Sequence, residues 1–331
     1  MKPIKVGAVS VSSIIERDGP WRAPDIMFPS ASPEELKDIM SFVPDFAYDR
    51  AQDLLVITYQ TFVVRTPRCT ALIDTCVGEH QRRPPQLLFD KKPWLDGFAA
   101  HGLKFEDIDY VFCTHLHVDH VGWNTRKVDG AWVPTFPNAR YLFVDKEFEH
   151  WRSAPGLFGT EDVFGDSVAP IMEAGLADLV PLDHRLCDEV AFQPTTGHTP
   201  GHISVVITSE GRRAIITGDM VHSPLQIADP DLCSSFDTDS EEARLTRRAV
   251  FPGWADGETL VLGTGSARFD PNTDAHHHLV CERCGRVRDV YVDAGVVAPP
   301  DTSVQDFSVT ATEIVFRGLC APCADPAGHT T

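Results

Sequence analysis

The amino-acid sequence predicts an α/β protein of stacked mixed sheets covered by helices, followed by a small α+β segment that binds zinc. Three observations predict it. Short apolar strands mix with helical stretches along residues 1–264, joined by hairpins as well as crossovers, which suits stacked mixed sheets and not a doubly wound parallel sheet. The burst His115-Leu116-His117-Val118-Asp119-His120 stands directly where the strand Tyr110-Val111-Phe112 should end. From about Ser266 the character changes, and two C-x-x-C knuckles appear.

Taken in order, residues 6–15 read as a first strand. Lys2 and Lys5 precede an apolar run, but serines interrupt it and Glu16-Arg17-Asp18 follow with no small-residue cleavage site, so a signal peptide is not expected. Gly19 to Pro33, with four prolines, reads as an irregular surface loop. Ser32-Pro33-Glu34-Glu35 opens a short helix with a cap, a first-position proline and early acids. Leu54 to Val64 and Ala71 to Thr75 read as a hairpin through the turn at Thr66-Pro67-Arg68, and Trp94 to His101 as a helix. Asp129-Gly130 marks a tight turn, Tyr141-Leu142-Phe143 a strand, and 145–152 and 167–175 helices. Short strands follow at Leu179–Leu182, Val190–Phe192, Ile203–Ile207, Ala214–Ile216 and Leu260–Thr264.

Composition narrows the function classes. The net charge of −19 argues against nucleic acid or an anionic membrane as partner. No run of 18 apolar residues exists, so no bilayer-spanning helix is expected. The nine cysteines, an odd count with two C-x-x-C pairs, point to metal binding in a reducing compartment more than to a disulfide framework, and the cytoplasm is the expected location.

The chemistry is concentrated in the histidine burst. His115 and His117 alternate with an apolar residue, so on an extended strand end they point the same way, while Asp119 and His120 belong to the turn beyond and reach a second position. Two adjacent metals are therefore expected. Imidazole and carboxylate suit Zn²⁺ and also Fe or Mn, so the ligand types do not name the metal. The competing reading is a polar loop whose histidines cap a helix. Thr196-Gly197-His198-Thr199-Pro200-Gly201-His202 offers His198 to complete a three-histidine set, and Ile215-Ile216-Thr217-Gly218-Asp219 ends a strand in a carboxylate able to bridge two metals. His202 and His222 are candidates for orienting the ligands.

With these motifs in place, residues 1–264 resemble the metallo-β-lactamase superfamily. The resemblance implies an αβ/βα sandwich with a dinuclear site at the sheet edges: His115, His117 and His198 on one metal, Asp119 and His120 on the other, Asp219 bridging. Asp74-Thr75-Cys76 matches the usual Asp-Thr-Gly turn with Cys for Gly. Asp219-Met220-Val221-His222, Gln226 and Phe236-Asp237-Thr238-Asp239 resemble the lactonase and methyl-parathion-hydrolase-like branch. That implies a small-molecule ester, lactone or organophosphate as substrate and a hydroxide held between the metals as nucleophile. Asp119 is then placed to carry a proton to the leaving group. His222 sits where the resembling lactonases keep an oxyanion-stabilising side chain, a role that competes with a ligand-orienting or a surface histidine. One departure stands out: Gly265 occupies the position where the superfamily usually closes its second metal site with histidine, which leaves that site in need of His276, His277 or His278. Ribonuclease chemistry is disfavoured by the charge, and di-iron redox chemistry by His117, where those relatives tend to have a carboxylate.

The segment 265–331 carries Cys281-x-x-Cys284 and Cys320-x-x-Cys323, with 35 residues between the pairs. Four thiolates on two knuckles suit a closed, tetrahedral, structural Zn²⁺. A redox pair is the alternative. The segment resembles the C-terminal dimerisation domain of the ferric-uptake-regulator family, and by that resemblance Asp270, His276, His278 and Asp289 match a regulatory metal site and a homodimer is expected. The competing function is a metal-responsive or dimerising protein whose hydrolase part is impaired.

Overall fold

The computed structural model describes residues 3–40, 43, 47–78, 93–153, 162–253, 259–263, 277–281, 287–290 and 315–318. The chain divides into two compact units, Met1–Phe269 and Asp270–Thr331.

In the first unit the elements run β1 (Ile4–Val6), β2 (Val9–Arg22), α1 (Pro24–Met27), α2 (Pro33–Met40), β3 (Tyr48–Asp49), β4 (Leu54–Arg65), β5 (Thr70–Ile73), α3 (Trp94–Ala100) and β6 (Tyr110–Phe112). They continue through β7 (Thr125–Val128), β8 (Ala131–Pro134), β9 (Arg140–Val144), α4 (Asp145–Ser153), α5 (Val163–Ser167), α6 (Ala169–Glu173) and β10 (Ala177–Val180). The second half holds β11 (Val190–Pro194), β12 (Ile203–Ser209), β13 (Arg212–Ile216), α7 (Leu225–Ala228), α8 (Ser240–Val250) and β14 (Thr259–Leu262).

Among the described residues these strands form, besides a separate antiparallel pair β7-β8, two mixed sheets. One has the order β1-β2-β4-β5-β6-β9-β10 with β3 beside β4, and the other β11-β12-β13-β14. Pairing is antiparallel through β1-β2-β4-β5 and parallel through β5-β6-β9-β10. The period-2 alternation of each strand explains the stacking. Phe62, Val64, Ala71, Ile73 and Phe112 of the first sheet meet Val190, Phe192, Ile203, Val205, Ile207, Ala214 and Ile216 of the second in one buried cluster. The intervening Val63, Leu72 and Val111 point the other way and pack with Trp94 and Phe98 of α3, Phe148 and Trp151 of α4 and Ile171 of α6. On the far side of the second sheet, Ile215 packs with Met220 and Val221, against Val250. Helix, sheet, sheet and helix thus form four layers, the sandwich the resemblance implies.

Two expectations need correction. The first strand is a hairpin, β1 and β2 turning at Gly7-Ala8, and β2 continues through Gly19-Pro20 to Arg22 where a loop was expected. The reason is the sheet edge: β1 pairs only as far as Val11, so beyond it β2 has a ladder partner on the β4 side alone, and an outward-facing proline costs no sheet hydrogen bond. His115 and His117 do not extend a strand, because β6 stops at Phe112. Thr114 N donates to Asp74 Oδ1 at 2.7 Å, which takes the backbone out of the ladder. The helix expected at 33 forms with its cap, which proves reciprocal, Ser32 N donating to Glu35 Oε2 at 2.8 Å and Glu35 N to Ser32 Oγ at 3.2 Å.

In the second unit β15 (His277–Cys281) pairs antiparallel with β16 (Val287–Val290) and parallel with β17 (Val315–Gly318). Cys281, His278 and Asp289 are placed on these strands by backbone alone, and Cys284, Cys320, Cys323, Asp270, His276 and Gly265 lie outside the described residues. No helix among the described residues is long and apolar enough to cross a membrane.

Candidate metal centre

His115, His117, Asp119, His120, His198, His202, Asp219 and His222 lie on the segments that follow β6, β11 and β13. Three ligand groups have their nitrogen or oxygen atoms within 4.8 Å of one another: His115, His117 and His198; His115, His120 and Asp219; and His198, Asp219 and His222. Asp219 is the hinge between them. Its Oδ1 faces His120 Nε2 at 3.4 Å, while its Oδ2 lies 3.9 Å from His115 Nε2, 3.7 Å from His198 Nε2 and 3.2 Å from His222 Nε2. Asp119 belongs to none of these groups. It stands at the rim with its side chain 18% exposed and its Oδ1 3.8 Å from His120 Nε2.

The partners of each imidazole fix which nitrogen faces inward. Thr114 Oγ1 donates to Asp74, so it accepts from His115 Nδ1 at 3.1 Å and leaves the buried Nε2 without a hydrogen-bond partner. His198 Nδ1 donates to Asp237 Oδ1 at 3.0 Å, and His120 Nδ1 faces Asp74 Oδ2 at 3.0 Å. In each case Nε2 is the nitrogen turned towards Asp219, the orientation that metal-binding histidines use. His198 Nε2 and His117 Nδ1 converge to 3.0 Å.

His202 is an orienting residue, as the sequence suggested. Its Nδ1 is engaged by Thr195 O at 3.0 Å, so its Nε2 accepts from Asp219 N at 3.0 Å and fixes the backbone that carries the carboxylate. Burial, with His198 close by, drives its pKa down to about 3, which keeps that nitrogen an acceptor. A side chain on Gly218 is excluded: its φ is +55° and an added Cβ would meet His202 Nε2 at 2.7 Å. His222 is buried, which removes the surface reading.

Electrostatics separate the ligands. Burial, reinforced by neighbouring imidazoles, holds His115, His117 and His198 well below the ordinary histidine pKa, in the neutral form that ligates. Burial opposes protonation of His120 too, but Asp219, Asp74 and Asp119 together hold its pKa well above the ordinary value. For Asp219 burial acts upward and is outweighed by His120 and His222, leaving its pKa well below normal. Burial raises that of Asp119. Imidazole nitrogens and a split carboxylate converging on shared points fit divalent cations, and the buried, unpartnered Nε2 of His115 gains a partner when one is bound.

Sequence reasoning missed two carboxylates. Glu147, in the first turn of α4, accepts from Leu116 N at 3.0 Å and Trp151 Nε1 at 2.7 Å through Oε1, and from Gly201 N at 2.9 Å through Oε2. It therefore ties the loop of His115 and His117 to the loop of His198. Asp237 appeared only as part of a longer motif. Its signal, an acid in a polar segment, is common to many loops. Beside these ligands a small open cleft is lined by Ile57, Thr58, Tyr59, Gln60, Asp119, His120 and Asp219.

Comparison with known proteins agrees with this geometry. The family model "Metallo-beta-lactamase superfamily" matches residues 57–263. Among solved structures, the hydrolase AbOPH of the beta lactamase superfamily superposes with a TM-score of 0.66 at 22% identity, covering 80% of this chain and 89% of that one. AidC, a dizinc quorum-quenching lactonase in complex with a product, gives 0.64 at 23%, covering 80% and 90%. A different likeness is to the peroxide-responsive repressor PerR of Staphylococcus epidermidis, 28% identical over 152 residues, which are 45% of this chain and 97% of the repressor. The repressor of the same name in Staphylococcus aureus is 36% identical over 67 residues, 20% of this chain and 45% of that protein.

Proposed function

Because the chain belongs to the metallo-beta-lactamase superfamily, we propose that it is a metal-dependent hydrolase of small esters, lactones or organophosphates. The observation that carries this reading is the split of Asp219, with Oδ1 turned to His120 and Oδ2 to His115 and His198. Divalent cations bound there supply Lewis acidity and lower the pKa of water to about 7. The residues do the rest. His115, His117 and His198 hold one position, His120 and Asp119 a second, and Asp219 joins them. Asp119 is the ligand nearest solvent and lines the cleft, so it is the group placed to hand a proton to a leaving group. Ile57 and Tyr59 give the cleft wall an apolar and aromatic part that suits the acyl or alkyl portion of such a substrate.

The test is hydrolysis of an aryl ester, a lactone and a phosphotriester by the metal-loaded protein, with and without chelator, against Asp219→Ala. Turnover of at least one substrate that chelator abolishes is expected; no turnover above Asp219→Ala overturns the reading.

The regulator likeness favours a second activity in the same chain. The partial matches to the peroxide-responsive repressors are the observation behind it. In this reading Cys281, Cys284, Cys320 and Cys323 hold a structural Zn²⁺, while Asp270, His276, His278 and Asp289 form a regulatory metal site. The segment pairs two chains, and the hydrolase part is weakened by Gly265. Zinc content, sedimentation and Gly265→His test it together. One tightly held zinc, a dimer, and higher hydrolysis in Gly265→His are expected. A zinc-free monomer whose activity Gly265→His leaves unchanged would count against it.

A further inference from the structure

We propose that His222 is itself a metal ligand, so that a position beside Asp219 is offered the imidazoles of His198 and His222 together with the Asp219 carboxylate. The assignment rests on reading this end of the sandwich as a metal site, but not on the hydrolysis proposed for it.

Four observations carry it. His222 forms a ligand group with His198 and Asp219 whose donor atoms lie within 4.8 Å of one another. Its Nε2 is 3.2 Å from Asp219 Oδ2, yet neither ring nitrogen has a hydrogen-bond partner although the side chain is 3% exposed. A nitrogen and an oxygen that approach so closely without aligning as donor and acceptor are disposed as two vertices around a common point. For metal–ligand distances of 2.0–2.2 Å, neighbouring tetrahedral vertices stand roughly 3.3–3.5 Å apart. The spacing seen fits that edge.

The ring is also held in place. His222 N donates to Gln226 Oε1 at 2.7 Å, and Gln226 Nε2 donates to Leu232 O at 2.9 Å, which anchors the backbone on α7. The ring of His198 lies 4.8 Å from that of His222 and the ring of Phe236 6.3 Å away, so the imidazole is lodged between a ligand and an aromatic wall. The chain turns through Gly218–Met220, which brings Asp219 and His222, three residues apart, face to face. The buried, unpartnered nitrogens of His222 gain a partner when a cation is bound. The chain thus lacks the usual imidazole at Gly265 and carries an additional one at 222.

The experiment loads metal-free full-length protein with Co²⁺ and compares wild type with His222→Phe and His222→Gln. Ligation predicts one fewer paramagnetically shifted imidazole N–H signal in both variants, a changed Co²⁺ visible absorption, and affinity at the tightest position lowered by more than about tenfold. Gln keeps a polar group for the site should Phe fail to fold. An orienting role alone would weaken binding but leave the signal count and the absorption as in wild type, and that result overturns the assignment. Such an outcome leaves the hydrolase reading standing, whereas a wild-type protein that takes up no Co²⁺ at this end of the sandwich removes both.

Discussion

Replacing Glu147 tests how the two ligand loops are held together. Its carboxylate is 1% exposed and satisfies three buried donors, Leu116 N, Trp151 Nε1 and Gly201 N. Glu147→Ala leaves all three without an acceptor, and at about 1–3 kcal/mol for each buried orphan the loss is roughly 3–9 kcal/mol. Glu147→Gln keeps one oxygen but turns an N–H₂ towards donors, so about 1–3 kcal/mol is expected. Urea unfolding of the metal-free proteins measures both. Because Leu116 lies between His115 and His117, and Gly201 follows His198, metal affinity should fall with stability, by about tenfold or more. A pH series adds a signed check. Burial holds the Glu147 carboxyl above the ordinary carboxylate range, against the pull of its hydrogen-bond donors. Between the unfolded and folded pKa values the folded chain keeps a proton that the unfolded chain has released. The stability this contributes is complete below the unfolded value and is lost as pH rises through the folded one. Glu147→Gln has no such proton, so the stability gap between wild type and Gln should narrow as pH rises across that window. A loss under about 1 kcal/mol in Glu147→Ala, with metal affinity unchanged, would refute the idea that this carboxylate joins the loops.

Three further substitutions probe neighbouring contacts. Asp237→Ala removes the acceptor of His198 Nδ1 and should lower metal affinity about 10–100-fold, read by competition with a chromophoric chelator. Gly201→Ala brings a Cβ to 2.4 Å from Glu147 N and 2.5 Å from its Cβ, and backbone that close must shift; a thermal melt should show a loss of about 1–3 kcal/mol. Arg247 is fully buried and donates from Nε to Pro230 O at 2.8 Å and from Nη2 to Leu232 O at 2.9 Å. Lysine cannot reproduce that fork, so Arg247→Lys should cost about 2–4 kcal/mol and speed proteolytic cleavage within 229–237, with unchanged cleavage there counting against the pin.

What could be read from the sequence follows the range of the interactions involved. The strands β4, β5, β6, β9, β12 and β13 were legible because residues on both of their faces enter buried clusters, so each apolar run is continuous and bounded by turn residues. His115, His117, His120, His198 and Asp219 were legible because their spacing relative to strand ends is local, even though Phe112 ends its strand earlier than expected. The extension of β2 through Gly19-Pro20 was hidden because it depends on having a free edge, and nothing within ten residues of Pro20 encodes where β1 stops pairing.

The carboxylates behind the ligands show the limit most clearly. Asp74, Glu147 and Asp237 each hold a ligand loop or a ligand ring from an element remote in sequence: Asp74 reaches Thr114 and His120 from the end of β5, Glu147 reaches Leu116 and Gly201 from α4, and Asp237 reaches His198 from the loop before α8. In the sequence Glu147 is one acid among 48, and Asp74 and Asp237 appear only inside longer motifs with no role of their own. What sets them apart is burial beside the ligand loops, which arises only once the sheets have stacked and carried those loops together. A buried carboxylate kept by backbone N–H and imidazole donors costs less than one left bare, and it returns that cost as fixed ring orientations. Ligand histidines can therefore be recognised from spacing, whereas the residues that aim them are defined by the fold. A variant that keeps all the ligands but loses one of these acids should bind metal worse than its ligand set alone would suggest.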